Sequence, residues 1–430
     1  MLTQQQNELL CRVGKGTPMG TLMRRYWIPV LFAWELPEPD CTPVSLKVLG
    51  EELVAFRDSD GRVGLLDAFC AHRRVNLFWG RNEDNGIRCV YHGWLFDVNG
   101  QCTDMPSEPE NSNFRDKVHI AAYATVEKGG VIWAYMGPAE QRPADPNFEW
   151  TRVPETHRGI SKVWQECNWL QGLEGGIDTV HINFLHRRLK QDPATVMARA
   201  RSQSMAPYLE VVPTEYGYSY AGIRPMGDDG NYVRAYHFIM PWTQLRPQQV
   251  NTPRPRVSSH MWVPVDDENT IVWNLTYTFG SAPLTEDERT LRGSGNELGK
   301  DIDPTNQFRS YANAGNKYFI DRKAQKAETF SGIPGTNTQD RAVQETMGKI
   351  YDRTLERLGT TDLAIIAARR MLLQALKDME LGNDPRGLAP TYYNLRSIEK
   401  VLPTDALWFE ALKGDMQVAA SATDAVTVGG

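Results

Sequence analysis

Short alternating runs of apolar and polar residues, punctuated by turn residues, occupy the first third of the chain from about Trp27 to Ile132. In VSLKVLGEELVAFRDSDGRVGLLDAF two such runs flank Asp60-Gly61, a pair that favours a tight hairpin turn. FDVNGQC repeats the arrangement with Asn99-Gly100. A small all-β domain is predicted there. The proline-rich passage Pro138 to Pro154 marks a junction. Beyond it one short helix is expected over about Trp169 to Leu185. Longer strands follow in YLEVVPTEYGYSYAGIR, YVRAYHFIMPWTQL and NTIVWNLTYTF, where aromatic and β-branched residues dominate. After about Asp303 the period becomes helical, and RAVQETMGKIYDRTLERLG and DLAIIAARRMLLQALKDMELG carry apolar residues at helical spacing. The tail VAASATDAVTVGG has no core pattern. The expected fold is α+β in two domains: all-β over 1–150 with an N-terminal extension, and an antiparallel sheet with flanking helices over 151–430.

A length of 430 residues exceeds what one hydrophobic core usually supports, which agrees with two domains. Hydrophobic residues at 41% and charged residues at 23% exclude a disordered chain and fit a soluble globular one. A net charge of −6 leaves no basic footprint for nucleic acid. No apolar run approaches the ~18–20 residues of a membrane span, and MLTQQQNELL lacks the blocks of a secretion signal. The expected setting is the cytoplasm, with six reduced cysteines. Cys11, Cys41, Cys102 and Cys167 have no histidine at ligand spacing and are expected to pack.

The other two cysteines do. Cys70-x-His72 and Cys89-x-x-His92 lie in FCAHRRVNLFWGRNEDNGIRCVYHGWLF, on loops between predicted strands. Two Cys and two His suit a structural zinc, yet zinc fingers pair Cys with Cys and His with His. Here each pair mixes thiolate and imidazole. A Rieske 2Fe–2S centre binds one iron with two thiolates and the other with two imidazoles, which two mixed loops supply at once. Cys70-x-His72-Arg73 with Cys89-x-Tyr91-His92-Gly93-Trp94 resembles the Rieske motif of ring-hydroxylating oxygenases. Ala71 and Val90 depart from it, standing where prolines are frequent.

Such a cluster relays electrons, and NWLQGLEGGIDTVHINFLHR contains a destination for them. Two histidines and a carboxylate with open positions suit non-haem iron and dioxygen. His181 and His186 are five apart, about 140° on a regular helix, so they converge only if the helix deforms or ends between them. Gly175-Gly176 indicates an imperfect helix. The segment resembles the catalytic iron motif of Rieske oxygenases, including Asn168, Glu174 and Asp178. The resemblance implies that His181 and His186 bind iron and that Asn168 and Asp178 serve catalysis. Asp178 would bridge His181 to His92 or His72 of a neighbouring subunit. It also places the third iron ligand on a C-terminal helix, for which Asp362 in ERLGTTDLAIIAARR is the candidate, ahead of Asp321, Asp340 and Asp352. Thr360, Thr361 and Asp362 also stand at a helix start, where capping alone explains them.

The resemblance covers most of the chain, and its opening LTQQQNELLCRVGKGTPMGTLMRRYWIPV looks like oxygenases for phthalate-type acids and phenoxybenzoate. It implies a Rieske domain followed by a catalytic domain of helix-grip type, holding a 2Fe–2S cluster and a mononuclear Fe(II). The implied reaction is cis-dihydroxylation of an aromatic carboxylate with O2, fed by a separate NAD(P)H-dependent reductase in a homotrimer or dimer of trimers. No nucleic acid or membrane partner is expected. Arg224 and Arg234 lie among aromatics on adjacent predicted strands, where a dicarboxylate such as phthalate or isophthalate would satisfy both. An internal salt bridge or an edge position explains either arginine as well. Ether cleavage by monooxygenation is the alternative reaction, and a zinc-stabilised binding protein the alternative class.

Overall fold

The computed structural model describes residues 2–190, 195–248, 252 and 254–418. Nearly all of the tail VAASATDAVTVGG lies outside them. Two compact units are present, one over 13–146 and one formed by 1–12 with 147–430.

The first unit is all-β. Its strands are β1 (Trp27–Phe32), β2 (Val44–Val48), β3 (Glu51–Arg57), β4 (Val63–Asp67) and β5 (Arg81–Glu83). They continue with β6 (Gly86–Arg88), β7 (Leu95–Asp97), β8 (Cys102–Asp104), β9 (Ala124–Lys128) and β10 (Val131–Tyr135). Three small sheets result, in the orders β1-β10-β9, β2-β3-β4 and β5-β6-β7-β8. Both expected hairpins form: β3 pairs with β4 across Gly61, β7 with β8 across Gly100, and both glycines have φ near +80° (84° and 80°). Val54, Phe56, Leu66, Leu77, Ile87, Trp94 and Phe96 make a core that also takes in Cys70 and Cys89.

The second unit is built on one long sheet. Its strands are β11 (Arg158–Gln165), β12 (Tyr208–Pro213), β13 (Gly217–Pro225), β14 (Asn231–Ile239) and β15 (Thr243–Gln248). They continue with β16 (Arg256–Pro264), β17 (Thr270–Thr278), β18 (Ile302–Asp303), β19 (Arg309–Ser310) and β20 (Ile398–Leu402). The order is β12-β13-β14-β15-β16-β17-β11-β19-β18, with β20 also on β14. Every pairing is antiparallel except β11 with β19. Strand β16 went unpredicted because its RVSSHMW core is half polar. Alternation divides β13 and β14 into two buried faces. Ala221, Ile223, Val233 and Ala235 lie under Leu402, Trp408, Leu412 and Met416. The opposite face carries Tyr218, Tyr220, Arg224, Arg234 and Tyr236.

Two helical expectations change. Helix Trp169–Ile177 ends at Asp178, ahead of both histidines rather than between them. Gly172 and Gly176 do not break it: a Cβ at either would collide with the Trp262 ring, and one at Gly175 with Gln344. They let the helix lie close against β16. Near the C-terminus, DLAIIAARRMLLQALKDMELG forms helix Leu363–Glu380, but of the other segment only 341–345 is α-helical, as the end of helix Thr336–Glu345. It then turns at Gly348 (φ +97°).

The two units divide at 146/147, and residues 1–12 belong with the second unit. Charge burial explains this. Glu174 receives Arg353 through Nε at 2.9 Å and Nη2 at 2.9 Å, and Arg369 through Nε at 2.6 Å. Arg353 then reaches Asn7 Oδ1 at 3.0 Å, and Trp169 Nε1 donates to Leu10 O at 3.1 Å, fastening helix Gln4–Cys11. Arg353 is fully buried, so Arg353→Ala leaves Glu174 with Arg369 alone of its two cations and frees Asn7. A loss of ~3–5 kcal/mol is expected, read as a lower urea midpoint; an unchanged midpoint would contradict the network's role.

Candidate active site

The two Cys/His loops of the first unit share one plan. Cys70 O accepts the Arg74 N–H at 3.0 Å, and Cys89 O the Gly93 N–H at 2.9 Å. Arg74 (φ 60°) and Gly93 (φ 78°) are both left-handed, which closes each turn. Each turn sinks its thiol and leaves its imidazole outward: Cys70 and Cys89 are buried, His72 exposed and His92 half-buried. The His72 and His92 rings lie 4.3 Å apart, and His72 stacks on Trp94 at 4.5 Å. Burial, more than the neighbouring Cys89, pushes the Cys70 thiol up to about 11. Among the described residues, no three of these ligand atoms converge within 4.8 Å, as a tetrahedral zinc requires. Two buried thiols and two adjacent imidazoles fit a two-iron cluster instead.

In the second unit one group does converge. His181, His186 and Asp340 place ligand atoms within 4.8 Å of one another. The Nε2 atoms of the histidines are 3.1 Å apart, and Asp340 Oδ1 is 3.5 Å from the first and 3.2 Å from the second. Three ligands at ~2.1 Å from one ion and at right angles would stand ~3.0 Å apart, so the triad fits one face of an octahedral site. His181 sits on a 3₁₀ turn, and its carbonyl accepts the N–H groups of Phe184 and Leu185, which swings His186 back toward it. Burial pushes the Asp340 carboxyl up, but His186 and His181 outweigh it and hold it down to about 2. Burial works against charge on His181, yet Asp178 and Asp340 raise its pKa.

Asp178 caps the preceding helix. Its Oδ1 accepts the Val180 N–H at 2.7 Å, and Oδ2 stands 3.5 Å from His181 Nδ1. Burial opposes its ionisation, and His181 more than offsets that, leaving the pKa low.

Two sequence assignments need correction. Asp362 is not with the histidines: its carboxylate accepts the Gly359 N–H at 2.7 Å and starts helix Leu363–Glu380. Asp321 likewise caps a helix, and Asp352 closes a turn onto Thr354. The carboxylate beside the histidines is Asp340, on helix Thr336–Glu345. Asn168 does not border the cavity. It is fully buried, capping Leu170 N–H at 3.1 Å and donating to Cys11 O at 2.9 Å and Asp267 O at 2.7 Å.

A cavity of ≈ 330 Å³ opens beside the triad. Val163, Ile182, Met197, Trp262 and Val272 give it apolar wall, and Arg201, Arg234 and Arg246 give it charge. Arg234 has found an internal partner, Glu399 Oε2 at 3.2 Å. Its pKa is raised, the Tyr236, Tyr232 and Glu399 charges outweighing burial. Arg224 is not among the lining residues; it is completely buried, with none of its three guanidinium nitrogens hydrogen-bonded among the described residues. Burial lowers it, and lowers Arg201, crowded by Arg234, to about 10. Burial and Arg246 keep His260 neutral. Arg201, Arg246 and His260 were not singled out in the sequence, and Asp340 ranked there behind Asp362 as the third ligand. Arg246 falls one residue past the strand pattern, and Arg201 sits in helix Val196–Gln203, which the sequence pattern did not predict.

Residues 26–124 match the Rieske [2Fe-2S] domain family, and residues 134–426 match the family described as LigXa C-terminal domain like. The chain belongs to the Rieske non-haem iron oxygenases, as the oxygenase component of an aromatic-ring dioxygenase; enzymes of this class carry a 2Fe–2S cluster and a mononuclear iron. Among its relatives is the phthalate 4,5-dioxygenase oxygenase subunit of Pseudomonas putida, 40% identical over 96% of this chain and 92% of that one. The 3-chlorobenzoate-3,4-dioxygenase oxygenase subunit of Comamonas testosteroni is also 40% identical, over 95% and 97%. The fold matches Pseudomonas putida CBB5 NdmA with caffeine at a TM-score of 0.61 and 18% identity, covering 88% of this chain and 97% of that one. Among the described residues no helix is long and apolar enough to cross a membrane.

Proposed function

We propose that this oxygenase cis-dihydroxylates an aromatic dicarboxylate of the phthalate or isophthalate type. The observation that carries the reading is the surplus of arginine beside the triad. Arg234 is neutralised by Glu399, but Arg201 and Arg246, which also line the cavity, form no ion pair among the described residues. Unpaired buried cations are costly, and two carboxylates would neutralise two of them. Two relatives are named for aromatic carboxylates, phthalate and 3-chlorobenzoate, which supports the same class. A panel of acids tests it. Turnover should rank phthalate or isophthalate above benzoate, and a preference for an uncharged arene would sink the proposal.

When bound, the cluster relays single electrons and the mononuclear iron activates dioxygen beside the arene. Cys70, Cys89, His72 and His92 would hold the first, and His181, His186 and Asp340 the second. The arginines orient the acid by its carboxylates, while Trp262, Val163, Val272 and Ile182 enclose the ring and exclude water. A separate NAD(P)H-dependent reductase supplies the electrons.

Asp178 keeps one oxygen near His181 and would offer its carboxylate to His72 or His92 of a second copy, in a homotrimer or dimer of trimers. Asp178→Asn is expected to preserve both metals and substrate binding. Turnover should fall by ~100-fold, the upper end of what losing a metal-bound histidine's partner costs. Metal analysis alongside steady-state rates checks this, and full activity in the variant would contradict the bridge.

A further inference from the structure

We propose that Gln339 is the positioning residue that decides which nitrogen of His186 faces the metal, an inference that rests on the His181–His186–Asp340 reading. A neutral imidazole has one N–H and one lone pair, and only the lone pair can bind a cation. Gln339 Oε1 lies 2.7 Å from His186 Nδ1, and Gln339 Nε2 lies 2.7 Å from Ile333 O. A backbone carbonyl can only accept, so the amide NH2 must face Ile333. That leaves Oε1, itself only an acceptor, pointing at Nδ1. Nδ1 therefore carries the proton, and the Nε2 lone pair is presented toward Asp340 Oδ1 at 3.2 Å and His181 Nε2 at 3.1 Å. Turning the amide over would set two acceptors against each other at Ile333. The ambiguity of an amide is thus removed by its second partner.

Gln339 is buried, 6% exposed, so water does not compete for either bond. It directly precedes Asp340 on helix Thr336–Glu345, so one turn of helix supplies a ligand and orients another. The two histidines are oriented differently. His181 looks to the Asp178 carboxylate at 3.5 Å, whereas His186 is held at 2.7 Å by a neutral amide. A neutral acceptor fixes the tautomer without adding negative charge to a site that already has Asp340 and Asp178.

The test is Co²⁺ binding, measured by calorimetry on the full chain with its 2Fe–2S cluster retained and its mononuclear iron removed. Gln339→Leu keeps the shape and removes the acceptor, and it should weaken Co²⁺ binding by ~10–100-fold. Gln339→Glu keeps an acceptor toward Nδ1 but loses the donor to Ile333 O, so it should bind more weakly than wild type and more tightly than Gln339→Leu. Gln339→Asn, whose shorter side chain withdraws the acceptor, should behave like the leucine variant and carries the test if that variant does not fold. Wild-type affinity in Gln339→Leu or Gln339→Asn would overturn the proposal. So would Gln339→Glu binding as weakly as they do, because a packing role alone would then suffice. Asp340→Ala separates the two levels: if it binds Co²⁺ as wild type does, the metal-site reading itself fails, whereas loss in Asp340→Ala with retention in Gln339→Leu condemns only the role of Gln339.

Discussion

Asp340→Ala should empty the mononuclear site and reduce turnover to background, while the visible absorption of the 2Fe–2S cluster stays as in wild type. The carboxylate is the only charged member of the triad, and two neutral imidazoles alone leave a dication's charge uncompensated. His181 and His186 then have nothing opposite them but each other, 3.1 Å apart. Asp362→Ala is the matched comparison. It removes a hydrogen bond to Gly359 at a helix start and should cost only ~0.5–2 kcal/mol of stability, with iron content unchanged. Iron analysis of the two variants side by side gives opposite outcomes under the two assignments.

The second large effect concerns the arginines. Arg201→Gln should raise KM for phthalate or isophthalate by roughly 10–150-fold, because a hydrogen bond to a charged group is worth ~1.5–3 kcal/mol. Arg224→Met, outside the cavity lining, should leave KM for the diacid near wild type and act on the free protein instead. An arginine that is fully buried with three nitrogens unpaired among the described residues destabilises the ligand-free chain, so an apolar replacement should raise its melting temperature. Arg234 is expected to behave otherwise. Its removal takes a buried cation away from Glu399, whose Oε2 accepts the Tyr232 O–H at 2.7 Å, so Arg234→Met should lower stability. Thermal melts with and without the diacid distinguish the three positions, and identical behaviour at Arg224 and Arg234 would contradict the charge argument.

Local chemistry was readable in the sequence wherever a single loop supplies it. Cys70-x-His72 and Cys89-x-x-His92 each sit on one turn, and Asp178, His181 and His186 lie within one helix exit, so spacing alone grouped them. Asp340 comes from a helix distant in sequence. Its buried face, with Thr338, Gln339, Arg341 and Gln344, is polar and looks like a solvent face in a hydrophobicity pattern. Asp362 was attractive because an acidic residue before an apolar helix has two explanations, ligand and cap, that sequence cannot separate. Gly175-Gly176 misled in a similar way. Glycines inside a helix read as weakness, but here they and Gly172 make room for Trp262 and Gln344, which needs the tertiary packing to be seen. Of the two predicted substrate arginines, adjacency on β13 and β14 was correct, with Gly222 opposite Arg234 and Arg224 opposite Tyr232. What remained hidden was Glu399, which arrives on β20 from the far end of the chain.

The central claim is that the His181–His186–Asp340 site adds both atoms of dioxygen to an aromatic diacid held by the arginines. A single turnover of the fully reduced enzyme with phthalate or isophthalate under ¹⁸O₂ tests it most directly. The account predicts a cis-dihydrodiol carrying two ¹⁸O atoms, formed as the reduced cluster is oxidised. Oxidation of the cluster with the diacid recovered unchanged, or a product carrying one ¹⁸O, would contradict it.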